Sequence, residues 1–258
     1  MAYKKLKYWF DEELAILLSN KIKRIDPDFD STQFVESISP QLEGLELKDR
    51  VELIADVMFS RFEGNYETGV NKLLKILGPE NPKETGMFKE YYWIMPIAKF
   101  VEKYGLQHFN LSMDALEAIT KRNTGEYAIR PFLETDTKRT LSKMKSWSRH
   151  PNKHVRRLSS EGLRPRLPWA RKLDIFIKDP RPIIPILENL KDDASRYVQK
   201  SVANCLNDII KDNPIIGKAT IESWNVHNIG DERKWIIKHA LRNLLKQQDP
   251  WAFLVIQK

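Results

Sequence analysis

A single cysteine, Cys205, stands in a chain of 258 residues. One thiol cannot build an internal disulfide framework or a thiolate zinc cluster. Glycine is scarce, at 10 residues, and strong helix formers dominate, which favours helix over a turn-rich β fold. No apolar run approaches the ~20 residues that span a bilayer, so no membrane partner is expected. The first residues, Met1-Ala2-Tyr3-Lys4-Lys5, lack the apolar stretch of a secretory signal, and a soluble, cytoplasmic protein is expected. Convincing period-two alternation is missing, so strands are not expected. The Gly-rich phosphate loop, His-Glu-x-x-His and the nucleophile elbow are all absent. No nucleotide or organic cofactor is expected. His150 and His154 lie four apart, but Pro151 separates them and no carboxylate or cysteine completes a site, so no metal is expected either.

What is present is positive charge in one place. The formal net charge is +8, from 43 Lys/Arg against 35 Asp/Glu. Residues 121–172 hold 15 Lys/Arg and 4 Asp/Glu, a local balance of +11. The rest of the chain holds 28 against 31. A field concentrated in this way attracts polyanions and speeds their arrival. A solvated face without a partner would dilute such self-repulsion with acids.

Helical signals run through the chain. Asp11 to Ile25 spaces Leu14, Leu17 and Leu18 behind an acidic first turn. Leu47 to Phe62 repeats the pattern, and Val70 to Leu77 stops at Gly78-Pro79. Met87 to Tyr104 reads as one apolar helix kinked at Pro96, followed by Met113 to Arg122. The second half then repeats itself. His154-Val155, Tyr197-Val198 and Trp235-Ile236 place their apolar residues 43 and 38 apart, and Asp193 and Asp231 each stand five positions before one. That period fits HEAT-like helical pairs, which bury their apolar faces by stacking. A single all-helical domain, an α-α superhelix with a concave basic cleft, is the expected architecture. Cys205 lies on the stripe Val198, Val202, Cys205, Ile209 and reads as a buried small hydrophobe. Trp224, Trp235 and Trp251 read as core or inter-repeat packing.

The most informative stretch is the basic one. Glu126-Tyr127-Ala128-Ile129-Arg130-Pro131-Phe132 leads into a Lys/Arg-rich helix ending near Trp147. After His150-Pro151 comes the run from His154 to Trp169. On a helix, Arg157, Glu161 and Arg164 share one polar face, while Val155 and Leu158 face the stack. Arg164-Pro165-Arg166-Leu167-Pro168-Trp169 then leaves as a proline-braced loop that carries Trp169 to a fixed place.

These residues, with Ser201 to Asp208, resemble the HEAT-repeat DNA alkylation repair glycosylases, the AlkC branch more than the AlkD branch. The likeness follows helix order over most of the chain and is specific over residues 124–213. It implies a DNA glycosylase of base excision repair, which hydrolyses the N-glycosidic bond of positively charged N-alkylated bases such as 3-methyladenine. The implied partner is duplex DNA carrying alkylated bases, bound by a monomer. The implied catalytic residues are Glu126 as the active-site carboxylate, Glu161 beside the pocket, Trp169 as an aromatic wall, and Asp208 lining the cleft. Arg130, Arg157, Arg164, Arg166 and Lys200 are the implied DNA contacts. Tyr127 stands where the family pattern has Phe, and Leu163 where a smaller residue is expected. The extra C-terminal β-sandwich of some relatives is expected to be missing after Lys258, which bears on the grip on DNA.

The chemistry agrees with these roles. A cationic N-alkylated base is already an activated leaving group, and its departure builds positive charge on the sugar. A carboxylate stabilises that charge and positions water. An aromatic face attracts the cationic base. Two other readings compete: a catalytically silent protein that binds bent or branched DNA, and a HEAT scaffold for an acidic protein. A silent binder needs the arginines but neither Glu126 nor Trp169.

Overall fold

The computed structural model describes residues 4–86 and 88–257. The helix start expected at Met87, the N-terminal residues 1–3 read for a targeting signal, and Lys258 lie outside the described residues. Where the sequence reads as one all-helical domain, contacts divide the chain into two compact units, one running to Ala128 and one from Ile129. Among the described residues every regular element is helical. No helix among them is long and apolar enough to cross a membrane.

The first unit holds α1 (Glu12–Lys23), α2 (Ser31–Ile38), α3 (Leu47–Arg61), α4 (Tyr66–Lys75), α5 (Phe88–Tyr91), α6 (Met95–Tyr104) and α7 (Phe109–Thr120). Helices α1 to α4 start where side chains satisfy free backbone N–H groups. Asp11 accepts from Leu14 N at 3.2 Å, Asp30 from Gln33 N at 2.9 Å and Asn65 from Thr68 N at 2.9 Å. Glu46 and Asp49 form a reciprocal capping box on α3. In α1, Leu14, Leu18 and Ile22 line one buried stripe. Pro96 does not kink a long helix. It sits in the first turn of α6, after a 3-10 turn over Tyr92–Ile94, where its missing N–H breaks no hydrogen bond.

The second unit holds α8 (Arg130–Thr135), α9 (Thr137–Trp147), α10 (Lys153–Glu161), α11 (Asp174–Lys178), α12 (Ile184–Leu190), α13 (Arg196–Asp212), α14 (Pro214–Trp224), α15 (Asp231–Ala240), α16 (Arg242–Lys246) and α17 (Pro250–Gln257). The repeat in the sequence is the stack in this unit. Helix α13 packs against α10 and against α15. Val155, Val198 and Ile236, the recurring apolar positions, are each fully buried. Cys205 is buried on the same helix stripe. Trp224 is core, while Trp235 and Trp251 are half-buried beneath Arg196 and Lys218 respectively. Asp193 does not cap its helix. It accepts from Arg156 Nε at 2.6 Å and from Ser195 N at 2.9 Å, tying one repeat to the next.

Candidate functional site

Helix α10 ends at Glu161, so Arg164 lies beyond the helix and not on the shared face that the spacing suggests. The turn through Gly162 and Leu163 nevertheless folds Arg164 back. A Cβ on Gly162 would stand 2.7 Å from Ile129 Cγ2, so only glycine lets this turn press so closely on its neighbour. Leu163 is core. Arg164 then bridges two buried carboxylates. Its Nη1 donates to Glu161 Oε1 at 2.9 Å, and its Nε donates to Asp208 Oδ2 at 3.0 Å. Arg157 approaches the other Glu161 oxygen at 3.6 Å, and its guanidinium lies 4.6 Å from the centre of the Tyr197 ring. The Ser160 and Ser201 hydroxyls, 2.7 Å apart, close the row beneath.

The titration of this row follows from its geometry. Burial pushes the Glu161 carboxyl up, but Arg157 and Arg164, with a hydrogen bond from Ser201, outweigh it and hold it below the usual carboxylate range. Asp208 goes the other way. Burial raises it, and the hydrogen bonds from Arg164 only partly offset that rise. Arg164 is also desolvated, yet its two carboxylate partners keep its guanidinium firmly protonated.

The loop after Arg164 is fixed at both ends. Leu173 N donates to Pro165 O at 3.1 Å and closes it, while Leu167 anchors its middle. Arg166 is spent on Asp212, with Nη2 donating to Oδ1 at 2.7 Å. The exposed product is Trp169, which shows 72% of its surface and has φ of 63°. For a bulky L-residue this left-handed backbone is strained by about 1–2 kcal/mol.

Arg130 corrects the sequence reading. Expected as a DNA contact, it is 5% exposed and works inward. Its Nη1 donates to Gly162 O at 3.1 Å and Arg164 O at 3.0 Å, and its Nη2 donates to Arg171 O. One guanidinium thus braces both ends of the Trp169 loop. A guanidinium that satisfies buried backbone carbonyls is not available to phosphate. Arg164, expected to hold both DNA and carboxylates, is 8% exposed and holds the carboxylates. Lys200 is exposed. His154 is buried against the Tyr197 ring, and His150 Nδ1 accepts from Asn152 N at 2.9 Å.

Glu126 belongs to the first unit, where it is 8% exposed in the turn that ends it. Thr124 Oγ1 donates to Glu126 Oε2 at 2.8 Å, and Glu126 N donates back to Thr124 Oγ1 at 3.3 Å. This reciprocal pair fixes the carboxylate. A helix-capping role is not its task, because α8 begins only at Arg130. Tyr127 beside it is half-buried. The Arg156–Asp193 and Arg166–Asp212 links escape a local reading because the partners lie 37 and 46 residues apart.

The second unit is thus a stack of helical repeats that carries a buried Arg–carboxylate row. A family model described as DNA alkylation repair enzyme matches residues 123–244. The alkylpurine DNA glycosylase AlkC of Pseudomonas fluorescens, solved bound to DNA containing an abasic site analog, has 35% sequence identity and a TM-score of 0.89. That match covers 99% of this chain and 69% of that one. The uncharacterized protein YhaZ of Bacillus subtilis (strain 168) is 38% identical over 251 residues, covering 96% of this chain. The chain spans 66% of the length of that relative. The chain belongs to the DNA alkylation repair enzyme family.

Proposed function

We propose that this protein is a DNA glycosylase that hydrolyses the N-glycosidic bond of positively charged N-alkylated purines, 3-methyladenine above all, in duplex DNA. The observation that carries this reading is Trp169, exposed and strained at the tip of a loop braced by Arg130 and anchored through Arg164. Strain of this kind is retained where a site uses the side chain. A fixed indole face suits a cationic base by cation–π attraction, worth ~0.5–2 kcal/mol.

The carboxylates divide the labour. Glu161 and Asp208 have their charge taken up by Arg157 and Arg164. They act as positioning residues that hold Arg157 and Arg164 at the base of the Trp169 loop. Glu126 is the catalytic carboxylate. The bond between C1′ and the base nitrogen breaks, and its electron pair neutralises the departing base. Glu126 stabilises the cationic sugar, then receives a proton from the water that adds to C1′. Arg157 and Lys200 contact phosphates without reading bases.

Single-turnover release of 3-methyladenine from methylated duplex tests these roles. Glu126→Gln keeps the shape and loses the charge. One such interaction supplies ~2.7–4 kcal/mol, so release slows roughly a hundredfold to a thousandfold. Wild-type rates in a folded Glu126→Gln protein, checked by circular dichroism, would remove Glu126 from the mechanism.

A further inference from the structure

Helix α9 has two unlike sides. Thr140, Met144 and Trp147 form its buried stripe, and α8, α10 and α12 pack against the helix. Lys138, Ser142 and Lys145 lie opposite that stripe, at i, i+4 and i+7, and all three are exposed. Arg149, exposed just past the helix end, continues the row. The row thus faces away from α10, the helix that carries Arg157 and Glu161. From Thr137 to Pro151 the chain holds Lys138, Arg139, Lys143, Lys145 and Arg149 and no acid. Among the described residues, neither Lys138 nor Lys145 has a carboxylate partner. Arg149 Nη2 donates to Asn189 Oδ1 at 3.0 Å, and Asn189 Nδ2 donates to Ser148 Oγ at 2.8 Å. A neutral amide thus orders that guanidinium and leaves its charge uncompensated. The acids on and after α12 are engaged elsewhere, Glu188 with Lys191 at 2.8 Å and Asp192 with Arg233. At the end of the row a groove of about 550 Å³ is lined by Ser142, Lys145, Ser146, Arg149, His150 and Pro151. The Ser142 and Ser146 hydroxyls make no hydrogen bond to another described residue, whereas Ser148 Oγ donates to Lys145 O at 2.7 Å.

We propose that the row Lys138, Ser142, Lys145 and Arg149, with the groove at its end, is a docking surface for an extended acidic segment of a partner protein. This goes beyond the glycosylase reading and does not rest on it. A solvated helix face mixes charges of both signs. Here cations of one sign stand together, and an acidic partner relieves their repulsion. The row decides the shape of that partner. From Lys138 to Arg149 it rises about 16 Å, which an extended peptide covers in about five residues. Cations spread over that length do not converge on one compact oxyanion. The groove also lies at the negative end of the α9 dipole, which disfavours a concentrated dianion such as phosphate. An acidic segment spreads its charge along the row toward the positive end. Its carboxylates accept from the Ser142 and Ser146 hydroxyls, and its backbone N–H groups can donate to them. A phosphodiester backbone offers acceptors alone. Because the row faces away from α10, such a partner and a duplex held at Arg157 occupy different sides. Contacts between exposed charges steer and recognise more than they clamp, so this association is fast, reversible and sensitive to salt.

Binding of a fluorescein-labelled polyglutamate peptide to the protein saturated with undamaged duplex tests the surface. The duplex occupies the other side, so polyglutamate is expected to bind without displacing it. The triple variant Lys138→Glu, Lys145→Glu, Arg149→Glu is expected to weaken that binding by roughly tenfold or more at low salt. Its circular dichroism, duplex affinity and base release are expected to match the wild type. Lys138→Gln with Lys145→Gln is expected to fall between the two. Arg181→Ala removes a charge already paired with Asp179, and wild-type polyglutamate binding is expected. Inorganic phosphate at matched ionic strength is expected not to compete. Polyglutamate binding that the triple variant retains, that duplex abolishes or that phosphate displaces overturns the surface. A second duplex taken up by the wild type and lost in the triple variant assigns the row to nucleic acid and overturns it equally. If the wild type takes up no duplex, polyglutamate is titrated onto the protein alone. Its loss in the triple variant then supports the surface while the DNA reading fails, and its retention overturns the surface.

Discussion

At the scale of single residues, Trp169 states the balance between stability and use most plainly. Glycine adopts the left-handed backbone without strain but loses more entropy on folding, roughly 0.5–1 kcal/mol. Trp169→Gly is therefore expected to leave the protein as stable as the wild type or about 1 kcal/mol more stable, while base release slows. Urea denaturation checks the first part, and a loss of more than about 1 kcal/mol would show that the ring is packing rather than function. The sequence makes Trp169 legible because two prolines and a helix end precede it. It does not make Arg130 legible. An arginine after Ile129 and before Pro131 carries no mark of whether it points in or out. Only the carbonyls of Gly162, Arg164 and Arg171, 32 to 41 residues away, decide that it is a brace.

At the scale of elements, the Trp169 loop and the Glu161 row are the parts to perturb. Arg130→Met leaves the Gly162 and Arg164 carbonyls buried without donors. Unmet buried groups cost about 1–3 kcal/mol each, so a loss of roughly 2–4 kcal/mol is expected. Amide exchange should rise first between Leu163 and Leu173, and unchanged protection there would contradict the brace. Glu161 predicts a pH signature. Its folded value lies below that of the unfolded chain, near 4.3, so its contribution is complete above that value. It is lost as pH falls through the folded value. Glu161→Gln should therefore be less stable than wild type at neutral pH and converge on it in acid, with Asp208 retained in both. A gap that persists at low pH would contradict the ion row. Long capped helices such as α1 and α3 are plain in the sequence, because an acidic start precedes an apolar stripe. Helix α2 escapes notice because its eight residues carry only Phe34 and Ile38 as buried anchors.

At the scale of the whole molecule, linear charge density overstates the positive charge that the surface presents. The basic stretch of residues 121–172 carries +11 in sequence. Yet Arg156, Arg164 and Arg166 find Asp193, Asp208 and Asp212, all outside that stretch. Arg196 and Lys200, both exposed on α13, lie outside the window that the count favours. Family and helical-repeat fold were legible, because a repeat period and a long motif both survive in one dimension. The inward or outward role of each arginine was not, because it depends on pairings across the stack. The central claim, that this chain removes alkylated bases, is tested most directly by counting products. The pure protein is incubated with methylated duplex, and free 3-methyladenine is measured alongside abasic sites. The account predicts release well above the spontaneous rate, with one abasic site for each base freed. Release no faster than in protein-free DNA, by a folded protein that still binds the duplex, would contradict it.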